Sequence, residues 1–219
     1  MDYQQDFRSL VRDGYNKIAT LYTSARSMDQ PDAKLLDELI EKLEDGATVL
    51  DAGCGSGIPV AKRVSGHCSV IGIDFSEKQL ELARQQVPNA EFQLADMSTL
   101  DFPDDTFDAI VSYYAIFHLP REEHPSLLAN FHRMLKLDGY LLISLGTSGG
   151  VGIEEDWLGG GAPMYWSNFE TNANISMVQE ARFDILWHRL VAEILIEESD
   201  DPEDIGHHLF IFGQKRGAG

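Results

Sequence analysis

Apolar residues recur every three or four positions at the start of the chain. Phe7, Val11, Tyr15, Ile18 and Tyr22 share one helical face; Leu35, Leu36, Leu39, Ile40 and Leu43 share a second, which opens at Pro31 and stops near Gly46. From Ala47 the period changes. "ATVLDAG", "SVIGIDF", "AEFQLAD", "FDAIVSYY" and "GYLLISL" are short apolar runs of the kind that strands buried on both faces require, the last following the turn "KLDG". "IPVAKRV", "SEKQLELARQQ" and "PSLLANFHRML" lie among them with helical spacing, and Ser76 with Gln79 has the S-x-x-Q form of a capping box. This strand–helix rhythm predicts an α/β fold with a doubly wound, mostly parallel sheet.

The rhythm breaks after Leu145. "GTSGGVGIEEDWLGGGAPMYWSNF" holds seven glycines among bulky aromatics and acids, which predicts an irregular aromatic insertion with at most one helical turn, at "IEEDWL". A helix capped by Ser167 and Glu170 is expected next. "FDILWHRLVAEILI" and "HHLFIFGQKR", joined by the acidic "EESDDPEDIG", then read as an antiparallel hairpin, which brings the sheet to seven strands with an antiparallel last strand. The whole chain, 1–219, is expected to be a single domain: a helical cap at 1–45, a core at 46–145, an insertion and helix at 146–181 and a C-terminal hairpin at 182–216.

Composition narrows the function. At 219 residues, 43% hydrophobic and 24% charged, the chain has the make-up of a soluble globular protein. Its 17 basic against 36 acidic residues give a net charge of −19, which disfavours nucleic acid and anionic lipid surfaces as partners. The start, "MDYQQDFRSL", lacks the basic and apolar regions of a signal peptide, and no run approaches the ~18 apolar residues of a membrane span. Cys54 and Cys68 are the only cysteines and form no CxxC, so a cytoplasmic location without disulfides is expected. No metal site is expected: His207 and His208 are adjacent and point to opposite faces of a strand, and His124 and His132 lack a third ligand at useful spacing. Monomer and homodimer both remain open.

The first strand runs into "VLDAGCGSGIPV", residues 49–60. The dinucleotide fingerprint G-x-G-x-x-G fails here, because Ile58 or Val60 stands where its last small residue belongs. What stands instead is D-x-G-x-G-x-G, with Asp51 at the strand end and Gly53, Gly55 and Gly57 in the turn. Two further acids follow two further strands. Asp74 lies 23 residues beyond Asp51, where a carboxylate can accept both hydroxyls of a ribose, and Asp96 follows the third strand, where it can accept an exocyclic amine while the Met97 amide donates to a ring nitrogen.

On this loop and these acids the chain resembles the class I S-adenosylmethionine-dependent methyltransferases, and "YNKIATLY" is similar to the ubiquinone and menaquinone biosynthesis group. The resemblance implies a Rossmann-like methyltransferase fold and S-adenosylmethionine as cofactor. It places Asp51, Ala52, Gly53, Cys54, Gly55 and Gly57 around the methionine and ribose, Asp74 at the ribose hydroxyls, Phe75, Asp96 and Met97 at adenine, and Tyr15 and Tyr22 against the cofactor from the N-terminal helix. The fourth strand ends in "SYYAIFHLP"; Ser112, Tyr113 and Tyr114 are expected near the transferable methyl group, and Tyr113, Tyr114 and His118 are the candidate catalytic residues, although in-line methyl transfer requires a base only when the acceptor must lose a proton. Tyr113, His118, Trp157, Tyr165 and Trp166, with Arg26, Met164 and Asn168 beside them, are the candidate lining for a small-molecule acceptor. The insertion is expected to act as a hinged flap carrying Trp157. The alternative reading is a non-catalytic cofactor-binding sensor or partner subunit; the Asn-Pro-Pro-Tyr motif of enzymes that methylate base or amide nitrogens is replaced by "SYYA".

Overall fold

The structure is a computed structural model that describes residues 6–192 and 206–216. A seven-stranded sheet forms its centre: β1 (Thr48–Ala52), β2 (Ser69–Asp74), β3 (Glu91–Leu94), β4 (Phe107–Ser112), β5 (Leu135–Leu145), β8 (Phe183–Ala192) and β9 (His207–Lys215). The spatial order is β3-β2-β1-β4-β5-β9-β8, parallel except for β9, which runs antiparallel to both of its neighbours. Successive β1 side chains alternate between two apolar layers, with Val49 in one and Leu50 in the other. α3 (Val60–Val64) and α4 (Glu77–Gln86) pack on one face and α5 (His124–Met134) and α6 (Thr171–Glu180) on the other. Strand order reverses between β1 and β4, and at such a switch point the diverging crossovers leave a crevice at the carboxyl ends of the strands.

α1 (Phe7–Ala25) and α2 (Pro31–Ile40) precede the sheet. α1 buries Val11, Tyr15, Ile18 and Tyr22, the stripe the periodicity predicts, against Trp157, Ala162, Met164 and Tyr165. This third apolar cluster lies outside the sheet and holds the 146–168 segment in place.

Three expectations need correction. The segment after Leu145 is not irregular: β6 (Gly150–Glu154) and β7 (Met164–Asn168) pair as an antiparallel hairpin around a short 3₁₀ turn at Trp157–Gly159. Its buried side chains, Met164 and Tyr165 of β7 and Trp157 of the turn, pack in the same cluster as α1, while β6 stays largely exposed. Ser167 and Glu170 do not form the predicted cap, because Ser167 lies within β7, where its Oγ accepts from the Arg121 backbone N at 2.9 Å, and the Glu170 side chain makes no capping bond. The capping box of α4 is half made: Ser76 Oγ accepts from Gln79 N at 3.2 Å, but the Gln79 side chain does not return the bond. Most of the acidic connector between β8 and β9 lies outside the described residues.

Candidate active site

The crevice at the switch point holds a narrow cavity of about 820 Å³, counted to its open mouth. Its floor is the turn after β1. Gly53 and Cys54 both donate their backbone N–H to Ile73 O, at 2.8 and 2.9 Å, which folds the chain back over the end of β2. That path needs positive φ at Gly53 (79°), Gly55 (50°) and Gly57 (81°), a region where an L side chain is strained. Gly53 is also required by contact, since a Cβ there would lie 2.4 Å from Ala115 Cβ.

Two buried carboxylates face this floor. Asp51, 1% exposed, accepts from Ala61 N at 3.2 Å and so ties β1 to the start of α3. Burial raises its pKa to about 8, with a smaller upward contribution from Asp74. Asp74 Oδ2 accepts from Gly55 N at 2.9 Å and Oδ1 from Ser76 N at 2.8 Å; burial outweighs these bonds and raises it to about 6. Asp96 also lines the cavity, with both oxygens engaged: Oδ2 accepts from Arg8 Nε at 2.8 Å, and Oδ1 from Ser98 N at 2.8 Å and Ser98 Oγ at 2.7 Å. Arg8 is also bonded to Glu123, so it straps α1 across this side of the cavity.

The other end is aromatic. Tyr15, Tyr22, Tyr113, Tyr114 and His118 line it together with Arg26. The Arg26 guanidinium is bonded to Asp32 in a buried ion pair and lies 4.3 Å above the Tyr114 ring. Tyr113 Oη donates to Asp32 O at 3.2 Å. His118 Nδ1 lies 2.8 Å from the Tyr165 carbonyl oxygen, which can only accept, so Nδ1 carries the proton and the bare Nε2 accepts from Tyr15 Oη at 2.9 Å. Burial, the largest cause, pushes His118 down to about 4, and the imidazole is neutral near pH 7.

Thus Asp51, Gly53, Cys54, Gly55, Asp74, Phe75, Asp96, Met97, Tyr15, Tyr22, Tyr113, Tyr114 and His118 come together on one cavity. Ala52, Gly57, Trp157, Tyr165 and Trp166 do not line it. Ala52 offers its carbonyl to Ser112 Oγ at 2.8 Å, which also turns that serine into the sheet; at Gly57 an added Cβ would meet Val87 at 3.1 Å, so this glycine serves the packing of α4. Trp157 is 7% exposed and packs behind the cavity wall, its ring 5.4 Å from those of both Tyr15 and Tyr22, edge-on to the first and tilted to the second. Sequence reasoning missed Arg8 and Gln79 on the wall. Arg8 lies seven residues before Tyr15, on the same helical stripe, which was a readable signal. Among the described residues no cluster of His, Cys, Asp or Glu could hold a metal, and no helix is long and apolar enough to cross a membrane.

The residues fit a cofactor that combines a cation with hydroxyl groups. Both buried carboxylates have pKa values that a nearby positive charge would bring down, and the buried amide of Gln79 on the same wall has no partner for either of its polar atoms among the described residues.

Comparison with known proteins agrees. Residues 49–139 match the family model described as a methyltransferase domain. Over 116 residues the chain is 36% identical to phosphoethanolamine N-methyltransferase 1 of Arabidopsis thaliana, a match that takes in 49% of this chain and 23% of that protein, so the chain spans less than a quarter of this relative. The fold is similar to that of 1,6-didemethyltoxoflavin-N1-methyltransferase of Burkholderia thailandensis, solved with bound 1,6-didemethyltoxoflavin and S-adenosylhomocysteine (TM-score 0.71, 19% identity, 99% of this chain and 92% of that one). It is equally similar to the [4+2]-cyclase SpnF (TM-score 0.70, 17% identity, 94% and 95%), so the fold does not by itself fix the reaction. Residues 49–139 are thus similar to a methyltransferase domain, and they sit in a Rossmann-like fold shared with S-adenosylmethionine-dependent methyltransferases.

Proposed function

We propose that this chain is an S-adenosylmethionine-dependent methyltransferase acting on a small-molecule acceptor. The observation that carries the reading is the charge of the cavity: Asp51 and Asp74 are buried on its wall, while its two arginines are bonded to other carboxylates, Arg8 to Asp96 and Glu123 and Arg26 to Asp32. Such a wall suits a cationic, hydroxylated ligand. When bound, S-adenosylmethionine supplies an electrophilic methyl group on a sulfonium.

The chain's own contribution is positioning and water exclusion. In this reading Asp51 and the Gly53–Gly55 backbone hold the amino-acid end, Asp74 the ribose, and Phe75 and Met97 the adenine. The Arg8 contact to Asp96 limits what that carboxylate can give to an exocyclic amine, so the Met97 backbone carries more of the base recognition than the sequence suggests. At the aromatic end Tyr15 Oη donates to His118, and both side chains line the cavity. An acceptor that must lose a proton on methylation would meet the Tyr15–His118 pair at this end of the cavity, where Tyr15 Oη would take that proton and pass its own to His118 Nε2. The finer likeness to the ubiquinone and menaquinone group is supported by "YNKIATLY", which places Tyr15 and Tyr22 on this wall.

The test is S-adenosylhomocysteine production by the purified chain with panels of amine, phenol and hydroxylated acceptors. Tyr15→Phe is expected to lower turnover by about 10²-fold while S-adenosylhomocysteine affinity stays within about twofold. Binding of the cofactor without turnover on any acceptor would reduce the protein to a cofactor-binding one, and no binding would remove the proposal.

A further inference from the structure

Gln79 lies in the first turn of α4, 1% exposed, on the cavity wall. Neither its Oε1 nor its Nε2 has a hydrogen-bond partner among the described residues. Its backbone N is the group that the Ser76 cap satisfies, so the side chain has no part in starting the helix. Leu80 and Ala83, beside it on the buried face of α4, are apolar, and an apolar residue at 79 would suit the packing equally. A buried amide with no partner destabilises the folded chain.

Its surroundings indicate what it faces. A Cβ added to Gly55 would lie 3.8 Å from Gln79 Oε1, and the N–H of the same glycine donates to Asp74 Oδ2 at 2.9 Å. The amide and the carboxylate therefore flank one residue of the loop. Each Asp74 oxygen accepts one backbone N–H and retains a lone pair, but a carboxylate can only accept. A vicinal diol that gives both hydrogens to Asp74 leaves its own oxygens in need of a donor. Gln79 Nε2, with two hydrogens and no partner among the described residues, supplies that donor.

We infer that Gln79 is a ribose-reading residue: its amide donates to the hydroxyl oxygens of the diol whose hydrogens are accepted by Asp74. The assignment rests on the cofactor reading above and adds to it a specificity determinant outside the glycine loop and the strand-end acids.

Calorimetry of S-adenosylhomocysteine and its 2′-deoxy and 3′-deoxy analogues against the wild-type chain, Gln79→Leu and Gln79→Met tests it. Both variants are expected to melt at or above the wild-type temperature, since each removes an unpartnered buried amide, yet to bind S-adenosylhomocysteine about five- to twentyfold more weakly. The wild-type penalty for removing at least one hydroxyl should shrink in both. Variants that keep the wild-type affinities and ratios for all three ligands overturn the assignment, as does a marked fall in melting temperature, which would mean that the amide supports the fold. A wild-type chain that binds none of the three overturns the cofactor reading along with it.

Discussion

The two ends of the cavity are built on opposite principles. At one end, backbone turns and strand-terminal acids from three consecutive β–α units leave charge buried and incompletely matched: Asp51 raised to about 8, Asp74 to about 6, Gln79 unpartnered. At the other, rings from α1, the end of β4 and the β6–β7 hairpin pack on one another, with Tyr15 bonded to His118, His118 to Tyr165 O, and Trp157 packed on Tyr15 and Tyr22. Unmet polarity at the first end favours a ligand that completes it, whereas the second end gains its stability from within.

The comparison breaks most easily at Trp157. Loss of a buried tryptophan costs about 3 to 5 kcal/mol, and Trp157→Ala is expected to lower the urea midpoint accordingly while leaving S-adenosylhomocysteine affinity nearly unchanged. A cost below about 1 kcal/mol would mean that the hairpin is a loosely held flap after all. Asp74→Ala acts on the other end: it should weaken S-adenosylhomocysteine binding by about 1.5 to 3 kcal/mol, and an unchanged dissociation constant would remove Asp74 from the site. The smallest effect, and the one that sharpens the contrast most, is in proton uptake. Asp51 and Asp74 stand above the ordinary 3.8, so the folded chain holds their protons more tightly than the unfolded one and loses their contribution to stability as pH rises from about 4 through 6 and 8. His118 stands below 6.5, at about 4, so its contribution is complete above 6.5 and is lost as pH falls toward 4. A cationic cofactor reverses the carboxyl shifts; S-adenosylmethionine should bind more tightly from pH 6 to 8 and release protons at pH 7, read as a binding heat that varies with buffer ionisation enthalpy. Equal heats in all buffers would show that Asp51 is not near the cation.

How far each end could be read from the sequence follows from the same difference. The acids at 51, 74 and 96 sit at strand ends that periodicity locates, and the glycines between them require a turn whatever the rest of the chain does. Those constraints are local. Trp157, Tyr165 and Trp166 were assigned to the acceptor because aromatics in a glycine-rich stretch look like a pocket, but which side of them faces the cavity depends on where α1 lies, more than a hundred residues away in the chain. The Arg8 strap and the Tyr15–His118 bond are likewise long-range pairings that no window of sequence contains. Gln79 was legible as a helix-start residue but not as a wall residue, since its backbone satisfies the cap while its side chain does something else.

The antiparallel β9 has a bearing on synthesis. Among the described residues β8 occupies the edge of the sheet, and its hydrogen-bonded neighbour there is β9, which follows it in the chain and is inserted between it and β5. Until β9 has been made, β8 has no strand to pair with and the flank of β5 stays open. A ribosome-bound chain that ends before His207 thus presents two unpaired strands, the kind of surface on which chaperones and aggregation compete, and the sheet closes by the late insertion of one strand between two that are already waiting.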